Sequence, residues 1–142
     1  MIKGLSHIGI SVKDLDRSIR FYRDLLGMDL VAEERFAGPQ YEQILALPGA
    51  RGRVALVKRS SLALELFEFE QPAPMPADLL RPVCDHGITH FCVEVDDIET
   101  EYSRLEAAGV VFHCPVIEFP WAAKAVYARD PDGNVFELLQ ST

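Results

Sequence analysis

The sequence predicts an α+β fold built from two paired βαβββ modules, a curved, cup-shaped mixed sheet with helices on its outer face. Three observations carry this expectation. Two blocks of the chain match each other without gaps, each block runs into a helical pattern of similar length, and each helix is followed by three strand-like segments.

The matching blocks are His7 to Asp16 and His90 to Glu99, which align a His, a Val, an Asp, a leucine or isoleucine and an acid. Helical spacing of three or four follows in each: Leu15, Ile19, Tyr22 and Leu26 in the first copy, Ile98, Tyr102 and Leu105 in the second. Asp14 and Asp97 stand where N-caps belong, and Gly27 and Gly109 where a left-handed C-terminal residue ends a helix. Strands are expected at 30–35, 53–58 and 62–69, and again at 110–113, 124–129 and 135–139. Asp132-Gly133 makes the last hairpin turn and Ser60-Ser61 the matching one. The modules are 1–70 and 87–142 of a single domain, 1–142, joined by a linker over 71–86 that carries Pro72, Pro74, Pro76 and Pro82. The segment 36–52 exceeds its counterpart and reads as an insertion with a short helix around 41–47, placed to cover a site.

Bulk properties narrow the function. The 142 residues carry 14 Lys and Arg against 22 Asp and Glu, a net charge of −8 that repels nucleic acid and anionic lipid. An anionic substrate would need a local basic cluster. No apolar run approaches the roughly 20 residues of a membrane helix, and no cleavable leader is apparent, so the expectation is a soluble protein. Cys84, Cys92 and Cys114 form neither a disulfide framework nor a thiolate zinc motif, which suits a reducing cytoplasm.

Strand alternation then sorts the polar residues. Ile8, Ile10 and Val12 share the face that meets the first helix, leaving His7, Gly9 and Ser11 on the other; Phe91, Val93 and Val95 do the same in the second copy, leaving His90, Cys92 and Glu94. Leu62, Leu64 and Leu66 leave Glu65 and Phe67 on the far face, and Glu137 holds the corresponding place in Val135 to Leu139. Two imidazoles and two carboxylates facing one concavity suit a divalent ion such as Zn, Ni, Co, Mn or Fe(II). Four ligands on an octahedral ion leave two positions for a small-molecule substrate that chelates through two oxygens. A lone strand histidine is usually an ordinary hydrogen-bonded residue; the weight here comes from the repetition. Glu68 has the wrong parity and Glu70 lies beside the linker, so both read as solvated. His86 and His113 have no counterpart in the other copy and read as surface or loop histidines, and Cys92 as a small pocket-lining filler. Trp121, Arg53 and Arg129 are candidates for contact with substrate, Trp121 as part of a lid and the arginines toward an anion.

These residues resemble the vicinal oxygen chelate superfamily, which includes glyoxalase I, methylmalonyl-CoA epimerase, extradiol dioxygenases and fosfomycin-resistance proteins. The carrying motifs are His7 with Val12-x-Asp14-Leu15, Phe21-Tyr22 and Leu26-Gly27, then Gly87 to His90 with Val95 to Ile98, then Asp130 to Glu137. The resemblance covers nearly the whole chain. It implies metal ligands at His7, Glu65, His90 and Glu137, a homodimer, and a metal-dependent lyase or isomerase of the glyoxalase I or epimerase type. In that chemistry a proton is abstracted beside a metal-chelated carbonyl through an enediolate, and the glyoxalase resemblance makes Glu137 the base. Alternatives are an extradiol-type Fe(II) dioxygenase, which the fourth ligand Glu65 disfavours, and a non-enzymatic resistance protein that binds small molecules. Glu42 lies near the place of a second epimerase acid and stays unassigned. Whether the four ligands join within one chain or across a dimer is open, since the proline linker permits both.

Overall fold

The structure is a computed structural model that describes residues 1–121 and 123–141. It divides into two compact units, Met1–Pro76 and Ala77–Thr142.

In the first unit, β1 (Ile8–Ser11) leads into α1 (Leu15–Arg20), which widens into a π-helical turn over Phe21–Leu25. β2 (Asp29–Ala37), α2 (Pro39–Leu45), β3 (Arg51–Arg59) and β4 (Leu62–Gln71) follow. The sheet order is β1-β4-β3-β2, so the first and last strands of the unit lie side by side and run parallel. In the second unit, β5 (Phe91–Glu94), α3 (Ile98–Ala107), β6 (Val111–Phe112), β7 (Ile117–Phe119), β8 (Ala123–Arg129) and β9 (Val135–Ser141) give the order β5-β9-β8-β6, again with first and last strands parallel. The short strand β7, paired with β8, was not expected from sequence.

The helices form where the spacing predicts. Asp14 accepts from the Arg17 N–H at 2.9 Å and Asp97 from the Thr100 N–H at 3.1 Å, and Gly27 (φ 66°) and Gly109 (φ 88°) take the left-handed conformation that stops each helix. The π-helical turn is the exception to the 3.6 spacing, yet it keeps Tyr22 fully buried. α1 buries Leu15 and Ile19 with Leu64, Leu66 and Val57 of its sheet; α3 buries Ile98 and Leu105 with Phe136, Leu138 and Val126. Full burial of one such side chain stabilises by roughly 1.5–3 kcal/mol. Each helix is also tied to its closing strand. Glu68 on β4 accepts from the Leu15 N–H at 2.5 Å, and Gln140 on β9 accepts from the Ile98 N–H at 2.9 Å. Both lie three residues beyond Glu65 and Glu137, on the helix side. Glu68 is therefore not a solvated carboxylate: its parity turns it toward the first N–H groups of α1, which have no intrahelical partner. Glu70 does stay at the surface, paired with Arg35 and, at 4.0 Å, with Arg51.

The insertion between β2 and β3 forms α2, slightly earlier than predicted because Pro39 opens it. Its Tyr41 and Leu45, with Leu47, pack on Phe36, Val54, Phe67 and Phe69. β3 approaches this cluster so closely at Gly52 that an added Cβ would lie 2.0 Å from the Glu68 carbonyl oxygen and 3.0 Å from the Phe36 ring. Arg53, a candidate substrate contact, instead binds Asp16 and Glu33 on the helix side, and its proximity keeps the Asp16 carboxyl below the usual range.

Two outcomes follow for urea unfolding. Glu68→Ala lowers stability by about 1 kcal/mol while Glu68→Gln, which restores the acceptor Gln140 uses, loses less than half of that. Gly52→Ala lowers it by at least about 2 kcal/mol, since the close neighbour is backbone that cannot step aside.

Candidate functional site

Parallel pairing of β1 with β4 puts Gly9 opposite Glu65, and pairing of β5 with β9 puts Cys92 opposite Glu137. Two residues earlier on the opening strand, a side chain returns to the same face one step along it. His7 and His90 stand there. The result is one pair in each unit: His7 Nε2 lies 3.5 Å from Glu65 Oε2, and His90 Nε2 lies 3.1 Å from Glu137 Oε2. The second pair is the drier, with side chains 24 % and 16 % exposed against 44 % and 33 % in the first.

A hydroxyl group stands behind each imidazole. Ser6 Oγ lies 3.2 Å from His7 Nδ1, and Thr89 Oγ1 lies 2.9 Å from His90 Nδ1. With Nδ1–H donating to the hydroxyl, the Nε2 lone pair is left facing the carboxylate, the orientation a metal ligand requires. The repeat alignment beginning at the histidines passed over both hydroxyls; the signal was a Ser or Thr immediately before each one.

The donor geometry suits a cation. Two donors held about 2.1 Å from one ion lie about 3.0 Å apart at a right angle and about 3.4 Å apart at the tetrahedral angle, and the two His–Glu separations fall around those values. Among the described residues no group of three or more His, Cys, Asp or Glu side chains is gathered for an ion; each unit presents one nitrogen and one oxygen donor.

The surroundings of the two pairs differ. Beside Glu65 the face of the first sheet carries Leu56, its partner on β3, and then the aromatic cluster, in which Phe67 and Phe69 stack at 5.7 Å and both meet Phe36 edge-on at 5.4 Å. Tyr41 of α2 donates to Glu34 at 3.2 Å; burial, that bond and the nearby Glu65 charge push its phenol upward. Glu42, next along α2, is half-buried. Beside Glu137 stand Tyr127, its β8 partner, whose ring lies 4.6 Å from His90, and the Cys92 thiol, which donates to Glu137. Partial burial, then Glu137 and Glu94, push that thiol up to about 12, which favours the protonated form, while the residue keeps exposed surface. His86 is exposed in the linker, and His113 is likewise exposed, in the bend just after β6, as expected of a surface or loop histidine; its backbone N–H donates to Tyr127 O at 2.9 Å and its ring lies 6.0 Å from the Tyr127 ring. Trp121 is largely exposed, stacked on Phe119 at 5.0 Å at the turn between β7 and β8. Arg129 gives its N–H groups to the carbonyls of Gly133 and Arg81.

A model of the glyoxalase/bleomycin resistance protein/dioxygenase superfamily matches residues 4–138. The chain belongs to that superfamily. YaeR of Escherichia coli is 33 % identical over 98 % of this chain and 97 % of its own length. A lactoylglutathione lyase of Schizosaccharomyces pombe is 31 % identical over 97 % of this chain but 47 % of its own length, so the chain spans about half of that relative. Among solved structures, a glyoxalase family protein of Bacillus cereus superposes with a TM-score of 0.91 at 21 % identity, covering 99 % of this chain and 95 % of the other. The superfamily's mixed α+β fold is the one described above. No helix among the described residues is long and apolar enough to cross a membrane.

Thiol labelling tests the surroundings of Glu137 directly. With metal-free protein at pH 8, iodoacetamide should label Cys92 more slowly than Cys84 and Cys114, and Glu137→Gln should speed Cys92 labelling by removing the adjacent negative charge; peptide mass mapping over time reads both.

Proposed function

We propose that this superfamily member is a divalent-metal-dependent lyase or isomerase whose metal is held by His7, Glu65, His90 and Glu137, and that it acts as a homodimer. The observation that carries the reading is the duplicated half-site, an imidazole Nε2 facing a carboxylate at ligand spacing with a hydroxyl on Nδ1, built the same way twice.

Two nitrogen and two oxygen donors fit Zn, Ni, Co, Mn or Fe(II) and leave an octahedral ion two adjacent positions. When bound, the ion supplies Lewis acidity to a carbonyl compound chelated through two oxygens. The residues do the rest. Ser6 and Thr89 hold His7 and His90 in the tautomer that offers Nε2. Glu137 takes the proton from the carbon beside the carbonyl and returns it either to that carbon, which inverts it, or to the neighbouring one, which moves the carbonyl between the two positions. Glu137 suits this task better than Glu65: it is half as exposed, and the Tyr127 ring shields it on one side. Glu65 remains the spectator ligand whose presence disfavours oxygen activation.

Metal analysis and isotope exchange test this reading. Purified protein should hold one divalent ion per two half-sites. Supplied with metal, it should wash deuterium into an α-hydroxy ketone, a hemithioacetal or an acyl thioester at the carbon next to the carbonyl. Glu137→Gln should slow exchange by at least about 100-fold, while the exposed His86→Ala keeps it. Oxygen uptake with a catechol and iron would instead identify a dioxygenase, and absence of stoichiometric metal a binding protein. Thr89→Val should weaken metal affinity by about 10- to 100-fold, read by chelator competition.

A further inference from the structure

The row of side chains that holds Glu137 continues across the second sheet. Cys92 of β5, Glu137 of β9 and Tyr127 of β8 are cross-strand partners, and His113 follows as the residue just beyond β6, its N–H on the Tyr127 carbonyl. Partners across strands share a face, so this is the face of His90, and the Tyr127 ring lies between the two imidazoles, 4.6 Å from His90 and 6.0 Å from His113. Among the described residues, neither the half-buried Tyr127 hydroxyl nor the exposed His113 ring has a hydrogen-bond partner within the protein, so both are open to a ligand from solvent, whereas His90 and Glu137 both have one. Arg129 is two residues along β8 on the same face; its guanidinium bonds are to two backbone carbonyls, which are neutral, so those bonds leave its positive charge in place next to His113.

The corresponding row of the first unit has none of this. It reads Gly9, Glu65, Leu56 and Ala32, and then gives way to the packed aromatic rings under α2. The two half-sites share their metal donors and differ in the neighbours of those donors.

We propose that Tyr127 and His113 form a hydrogen-bonding subsite, beside the His90–Glu137 pair, for a carboxylate or similar oxyanion that the substrate carries a few bonds from its chelating oxygens. A phenol O–H and an imidazole N–H both donate to such a group, and Arg129 adds local positive charge against the overall charge of −8. This inference rests on the metal reading above.

The test compares two ligands with one chelating head: acetohydroxamate, and succinomonohydroxamate, which adds a carboxylate two methylenes away. Calorimetric titration into the zinc-loaded protein should show the second binding tighter by at least about tenfold. Tyr127→Phe and His113→Ala should each cut that ratio several-fold, their combination should bring it near one, and His86→Ala should leave it at the wild-type value. Each variant's circular dichroism and thermal midpoint confirm that it folds. A wild-type ratio near one, or a ratio that survives the double substitution, overturns the subsite while leaving the metal reading intact. If neither hydroxamate binds the zinc-treated wild type, the metal reading fails and the subsite falls with it.

Discussion

The parallel register between the first and last strands of each unit is the constraint on which the rest depends. β1 beside β4 and β5 beside β9 bring together residues 58 and 47 positions apart in sequence, His7 with Glu65 and His90 with Glu137. Side chains alternate with a period of two, so a slip of one residue in either ladder would turn the carboxylate into the helix layer and expose Leu64 or Leu138. The apolar alternation forbids that slip, because both leucines are almost fully buried. The bonds from Glu68 to α1 and from Gln140 to α3 oppose it a second time, since each links a position of fixed parity on the closing strand to the start of the helix that follows the opening strand. Burial and helix capping therefore hold the same register that sets the His–Glu distance.

Much of this was legible in the sequence because it is local and stated twice. Asp14 and Asp97 as caps, Gly27 and Gly109 as stops, and the shared facing of the histidines and glutamates all follow from spacing within a few residues. What stayed hidden needed the third dimension. Parity placed Glu68 on the helix side, but only the packing of α1 reveals the N–H that waits for it. Arg53 reads as a free cation until β2 and α1 bring Glu33 and Asp16 to it. His113 has no counterpart in the first copy, so an argument built on repetition discards it; its place on the site face depends on β6 meeting β8 across an excursion that includes the unforeseen strand β7.

The two copies agree and disagree in a pattern that separates geometry from specificity. What they share is the machinery of position: an N-cap aspartate, a stop glycine, a helix-capping acceptor three residues past the glutamate, a hydroxyl before the histidine, and the pair itself. Where they differ, the changes gather around the pair: Gly9 against Cys92, Leu56 against Tyr127, Ala32 against His113, α2 on one side and the β7 turn with Trp121 on the other. A protein that needed only two equal donors from each half would have no reason to make one wall aromatic and the other hydrogen-bonding. The first sheet closes its face with Phe36, Phe67, Phe69 and Tyr41, which leave little for a polar ligand to bind beside Glu65. Among the described residues, the second leaves the Tyr127 hydroxyl and the exposed His113 imidazole without a partner within the protein, on the same face as its drier carboxylate. What a bound molecule would meet next to Glu137 is therefore set by residues that the repeat does not share, Cys92 and Tyr127 above all.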